Sequence, residues 1–404
     1  MSKIVKFFIT FVCILIVSLV FRFYNLDKRG FYPGSDAAVY ANLIKTYRAA
    51  TDFTIRKIIL KENIGNINEY LFENGGQFGT AAKDGVIPIG LIGSFIFGNN
   101  LNTILYSSAA FGVFTIILLF FILLKRDNLS LSVSIALLFA VSPYHIGFSR
   151  EGLTVTFSSF FLLMSIYLYL KYRESNALKH LSLCGLFLGF GFLCHYNIAP
   201  FIFVLFIYEF FHICSNRKNL KNILFLFVFS ILPLVLMDLF TRAIKFYGTI
   251  VHIKMITYYN PYFNGLFKQL VEVKGGGSDI YEGPLYYLSN FLYHEGIIPF
   301  ILFIISAVLI IRKGVKVNAG TGYFLISMFL FPFIYFFKLQ HTITDRAMLS
   351  FVPLGYLIIG FGLNGLVGYK KLFFSLIIIV IILNGFRSLD YFNYRSNFEQ
   401  AVNY

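Results

Sequence analysis

An all-α polytopic membrane fold, with about 11 transmembrane helices plus juxtamembrane helices in a large first outer loop, is predicted by three features of the sequence. Of 404 residues, 58% are apolar and only 13% charged, where a soluble domain carries about a quarter. The aromatic load is extreme, with 51 Phe and 27 Tyr but no Trp, and most of it must face lipid or other helices. The apolar residues also gather in runs near the ~20 residues that cross a bilayer. Disorder, a collagen-like fibre and a secreted disulfide scaffold are excluded. A net charge of +15 would suggest nucleic acid in a soluble chain; here it is a question of which loops hold the cations, and no nucleic acid is expected. Cys13, Cys184, Cys194 and Cys214 lie in or beside apolar runs without metal or redox spacing and read as packing residues.

The first run, at about 4–22, follows Lys3 and Lys6 and ends Val20-Phe21-Arg22-Phe23-Tyr24. It offers nothing small for a signal peptidase to cut after, so it reads as an uncleaved helix with its N-terminus inside. Ten more runs follow at about 103–124, 130–148, 153–170, 181–194, 198–214, 223–240, 297–311, 322–337, 347–367 and 372–386. Val86–Gly98 is shorter and carries Pro88.

Cytoplasmic connectors collect Lys and Arg, and that decides the short piece. If it does not span, the clusters Lys125-Arg126, Lys171/Arg173/Lys179, Arg217/Lys218/Lys221, Arg312/Lys313/Lys316 and Lys370-Lys371 all join Lys3 and Lys6 inside. Only Arg150, Lys338 and Arg346 then remain in the short outer connectors. If it spans, the clusters fall outside. Residues 86–98 are therefore read as re-entrant or juxtamembrane. Residues 1–386 form one transmembrane domain with two long outer loops, at about 22–85 and 241–296, and 387–404 form a short outer tail. The chemistry is expected on the outer face, where these features meet.

In the first outer loop, Pro33-Gly34-Ser35 ends an extended segment and Ser35 is placed to cap a helix beginning at Asp36. Val39, Tyr40, Leu43, Ile44 and Tyr47 then recur at helical spacing, as in a helix lying on the membrane surface. Asp36 is either an acid complementing the helix dipole or a general base at the membrane boundary. Lys83 is either a phosphate ligand or a snorkelling cation. Arg150, His195 with Tyr196, and Arg346 lie in outer hairpins. Single cations beside an acid are what a phosphate-leaving reaction needs, a base for the nucleophile and a clamp for the departing anion. Gly275-Gly276-Gly277-Ser278 lacks the strand and Lys-Ser/Thr of a phosphate loop and reads as a lid. The outer acids recur at no metal-ligand spacing, so no cofactor is certain, and a divalent cation is allowed but not indicated.

The order of these features resembles the GT-C superfamily of membrane glycosyltransferases, in the group of aminoarabinose transferase and the protein O-mannosyltransferases. That group's R-x-x-x-L…D-E-x-x-Y is matched by Arg22-Phe23-Tyr24-Asn25-Leu26 and Asp36-Ala37-Ala38-Val39-Tyr40. Its S-P…FSR hairpin is matched by Ser142-Pro143 and Phe148-Ser149-Arg150, and its R-Y-x-L-x-x-x-P by Arg346-Ala347-Met348-Leu349 up to Pro353. Gly283-Pro284-Leu285-Tyr286-Tyr287 is similar to a Tyr-rich segment before a later helix. The chain departs from the pattern at Ala37, where a second carboxylate is expected, at Lys83-Asp84-Gly85, where Lys-Pro-Pro is, and in carrying no sizeable outer domain after the last helix.

The resemblance implies transfer of a sugar from a polyprenyl-phosphate donor to a lipid, glycan or protein acceptor, at the outer face of a prokaryotic plasma membrane. Asp36 is then the base. Lys83, Arg150, Arg346, His195 and Tyr196 are the donor-binding candidates, and Tyr286, Tyr287 and Glu282 the lid or acceptor candidates. A polysaccharide polymerase or ligase shares the outer arginines and the lipid-linked sugars, but does not require an acid-bearing loop after the first helix. A transporter requires ionisable groups at mid-membrane, for which Glu209 and Asp238 are the nearest residues.

Overall fold

The computed structural model describes residues 2–27, 36–74, 83–100, 102–125, 128–216, 220–250, 261–264, 266, 285–313, 319–339, 349–364 and 370–393. Among them the chain is helical and contains no strand. The helices are α1 (Lys3–Phe23), α2 (Asp36–Thr54), α3 (Ile67–Asn74), α4 (Val86–Phe97), α5 (Thr103–Leu124), α6 (Leu129–Ala140), α7 (Pro143–Ser149), α8 (Thr154–Ser175) and α9 (Leu178–Cys194). After them come α10 (Ala199–Asn216), α11 (Lys221–Ile250), α12 (Leu285–Glu295), α13 (Ile297–Lys313), α14 (Ala319–Leu339), α15 (Phe351–Leu363), α16 (Lys370–Ser388) and α17 (Asp390–Asn393).

Every apolar run expected to span overlaps one of these helices, or, at 130–148, two of them. Among the described residues four segments, Ile4–Phe23, Thr103–Leu124, Thr154–Ser175 and Lys221–Tyr247, are long and apolar enough to cross a membrane. The pair α6 and α7, bent by 57°, meets the same length and hydropathy criterion only when the two are taken together as one span. The other expected runs fall on shorter apolar helices. The protein is thus a multi-pass, all-helical membrane protein.

The run at 130–148 differs from the straight helix expected of it, because Pro143 has no amide hydrogen to continue the ladder. Instead Ser142 caps α7 by accepting from the His145 amide at 3.2 Å. The carbonyls freed at the end of α6 are taken by side chains, Ala140 O by Arg22 at 3.0 Å and Val141 O by Ser388 at 3.1 Å. A buried break of this kind persists only when neighbours satisfy the backbone.

α8, α9 and α11 form the tightest packing. Gly185 and Gly189 stand one helical turn apart on α9, and side chains there would collide with Leu226 and Pro233 of α11. Small residues at this spacing let two backbones approach, which is how helices gain contact in lipid.

The two ends of the bundle carry different chemistry. At one end Lys125 pairs with Glu174 at 3.2 Å, Lys125 and Lys171 both approach the Tyr167 ring, and Asn128 bonds Asn364 at 3.3 Å. At the other, the end of α9 meets the segment 83–85. Gly85 N–H donates to Leu193 O at 3.1 Å, so α4 starts at this end. It also finishes there, since Thr103 bonds Gly98 O and Ile104 lies under Gly152 of the α7–α8 turn. At ~1.5 Å per residue, its 12 residues reach about 18 Å, short of the ~30 Å hydrocarbon.

Candidate active site

Asp36 opens α2, whose inward face (Ala37, Tyr40, Ala41, Leu43, Ile44, Tyr47) is buried. Two glycines seat this helix. Gly90 of α4 lies against Ile44. Gly152, at φ +67°, sits in a left-handed conformation that favours glycine, and a Cβ there would lie 3.2 Å from Ile104 and Leu105 and 3.5 Å from the Ala37 Cβ. The α7–α8 turn therefore supports the residue next to Asp36.

Across from Asp36 stands Lys83, its Nζ 3.4 Å from Asp36 Oδ2. The Lys83 side chain is 13% exposed and that of Asp36 40%, so the carboxylate is open to a ligand while the ammonium is mostly enclosed. Asp84 is fully buried, and Gly85 presses on the backbone of Leu193 and Cys194, which ties the Lys83 segment to the His195 hairpin.

His195 is 5% exposed. Its Nδ1 accepts from the Asn197 amide at 3.2 Å, capping the short turn Tyr196–Ile198, and its ring lies 4.8 Å from that of Tyr196. The start of the second outer loop is drawn to the same place. The amides of Tyr262 and Phe263 donate to Thr241 Oγ1 and Asp238 Oδ1, each at 2.9 Å. Burial, and then the nearby Asp84 carboxylate, push the Tyr262 phenol above its ordinary value.

Arg150 is brought to this end but turned away from the surface. It is fully buried, and its Nη1 donates to the carbonyls of Phe21, Arg22 and Tyr24 at 3.3, 3.2 and 2.9 Å. Its charge faces the C-terminal carbonyls of α1, where the helix dipole favours a cation. Arg22, equally buried, donates to Ala140 O and meets His145 Nδ1 at 2.7 Å. Arg346 and Glu282 lie outside the described residues, as do the side chains of Tyr286 and Tyr287 on α12. Among the described residues no three His, Cys, Asp or Glu are grouped to hold a metal ion.

Sequence reasoning missed Glu295. This carboxylate is fully buried; it accepts from Ser142 Oγ at 2.5 Å and Tyr356 Oη at 2.6 Å. Burial raises its pKa against the opposing pull of these hydrogen bonds and the Tyr144 amide. The visible signal is an acid directly before the apolar run at 297–311. The two carboxylates weighed for transport are tied into the bundle instead. Glu209 accepts from Tyr169 and Tyr172 at 2.8 and 3.1 Å, and Asp238 pairs with Arg242 at 2.5 Å while capping Phe263.

Comparison with known proteins agrees with this architecture. The family described as dolichyl-phosphate-mannose-protein mannosyltransferase matches residues 90–239. That match covers less than half of the chain; over nearly its whole length the chain shares its fold with solved membrane proteins. Among solved structures it is similar to ArnT from Cupriavidus metallidurans bound to undecaprenyl phosphate, at 13% identity and a TM-score of 0.64, over 94% of this chain and 64% of that one. It is also similar to the Archaeoglobus fulgidus oligosaccharyltransferase in its apo form, at 13% identity and TM-score 0.62, over 96% and 56%. The same archaeal enzyme, AglB, in complex with an inhibitory peptide and a dolichol-phosphate, matches at 14% identity and TM-score 0.61, over 98% and 57%. The chain spans little more than half the length of the oligosaccharyltransferase. No curated protein matches it by sequence.

Proposed function

We propose that the protein transfers a sugar from a polyprenyl-phosphate donor to a hydroxyl or amine acceptor, at the end of the bundle where Asp36 and Lys83 meet. The observation that carries this reading is the pair itself. A half-open carboxylate at a helix start faces a largely enclosed ammonium 3.4 Å away. At rest the two charges neutralise one another. A lipid phosphate entering the site competes for the ammonium and releases the carboxylate to take the acceptor's proton. As the acceptor oxygen or nitrogen bonds the sugar carbon, the bond to phosphate breaks and polyprenyl phosphate leaves, its charge held by Lys83. The eleven expected runs are proposed as eleven crossings, with the Asp36 end outside and the Lys125 end in the cytoplasm.

Support comes from the matched family and from the undecaprenyl-phosphate and dolichol-phosphate complexes of the GT-C relatives. In this proposal Arg150 fixes the end of α1 and His195 shapes the hairpin under Lys83, so Lys83 is the phosphate ligand among the described residues. Arg346 is retained as a second one. The test is release of free polyprenyl phosphate by the purified protein from a panel of polyprenyl-phosphate sugars, with and without candidate acceptors. No release from any donor, with the protein folded, refutes the reading.

A further inference from the structure

Glu295 stands at the end of α12, where the chain returns from the second outer loop, yet its carboxylate is fully buried under α7. Both oxygens are held, by Ser142 at the N-cap of α7 and by Tyr356 of α15. Its backbone is held too, since Asn384 of α16 donates to Glu295 O at 3.4 Å. Through these hydrogen bonds Glu295 docks a helix of seven residues that has little stability of its own.

The far end of α7 leads straight to the site. Arg150, its C-cap, grips the last carbonyls of α1, from which the first outer loop departs. Two residues on, Gly152 lies against Ala37, the neighbour of Asp36. One short rigid element thus touches both the departure point of the loop and the base of the helix that Asp36 begins.

We infer that Glu295 is a positioning residue, which through α7 and the Arg150–Gly152 turn sets Asp36 relative to Lys83. This rests on the reading of Asp36 and Lys83 as the reacting pair.

The test uses the full chain in detergent or nanodiscs, with Glu295→Gln, which keeps shape and one acceptor but turns the other acceptor into a donor. Misplacing a reacting group by about 1 Å can cost around a hundredfold in rate. The expected result is a loss of kcat of about ten- to a hundredfold, with the donor KM changed less than about threefold, and partial rescue in Glu295→Asp. Ser142→Ala acts on the same link, so the double variant should lose no more than the worse single one. Amide hydrogen exchange gives a readout independent of activity. Protection should fall in residues 36–43 and 143–152 and stay at the native level in α9 and α10. Equal loss of protection throughout, or kcat at the native level, overturns the inference. If the native protein turns over no polyprenyl-phosphate sugar, the proposed function falls, and the exchange pattern alone decides whether Glu295 positions residue 36.

Discussion

Asp36→Asn separates the two roles an acid at a helix start can have. As a structural residue Asp36 contributes little. A carboxylate in the first turn is worth ~0.3–1 kcal/mol, and its pair with Lys83, with Asp36 40% exposed, is a solvent-screened contact worth about 0–1 kcal/mol. Asparagine keeps the size and much of the hydrogen bonding, so the variant should fold and insert with a thermal midpoint close to native. As a base the same atom carries far more, since removing a general base typically costs about 10²–10⁴ in rate. The assay is donor turnover by purified protein at saturating acceptor, alongside thermal unfolding and binding of the lipid donor. The expected outcome is a rate lowered at least about a hundredfold with donor binding retained. A well-folded Asp36→Asn protein that keeps more than about a third of the native rate, far outside that range, would return Asp36 to a capping role and remove the main support for the glycosyltransferase mechanism.

Lys83→Ala should weaken donor binding while leaving the fold stable, read as a rise in donor KM with little change in unfolding midpoint; an unchanged KM would leave the phosphate to another cation. Glu209→Ala strands the Tyr169 and Tyr172 hydroxyls and should destabilise by about 1–3 kcal/mol in detergent unfolding, with specific activity kept, and Glu209→Gln should stay near native. Loss of activity in a stable Glu209→Gln protein would reopen an ion-path role. Gly152→Ala combines a left-handed φ of +67° with contacts at 3.2 Å, and should cost about 1–2 kcal/mol for the backbone alone and slow turnover through Asp36. Single cysteines at Lys61 and Lys125 should differ towards an impermeant thiol reagent in intact cells, with only position 61 labelled; labelling of 125 alone would invert the topology.

The sequence by itself determined that this is a helical membrane protein and where its apolar helices lie. Length, hydropathy and Lys/Arg placement are local quantities, and lipid allows few other ways to satisfy a backbone. It also made Asp36 and Lys83 candidates, through helix-start chemistry and an ammonium in an otherwise Gly- and Asn-rich stretch. It left each with a bland alternative, as good as the functional one for Asp36 and better than it for Lys83, because nothing local says that residues 47 positions apart meet. The tertiary structure decided that. It also separated Arg150 from Lys83, two single cations in outer segments that look alike in the sequence. One is buried against the carbonyls of α1, the other faces a half-open carboxylate. Glu295 was illegible for the same reason. An acid before an apolar run reads as a solvated helix start until α7 and Tyr356 are folded over it, and burial among distant hydroxyls is a property of the assembled bundle rather than of any stretch of chain.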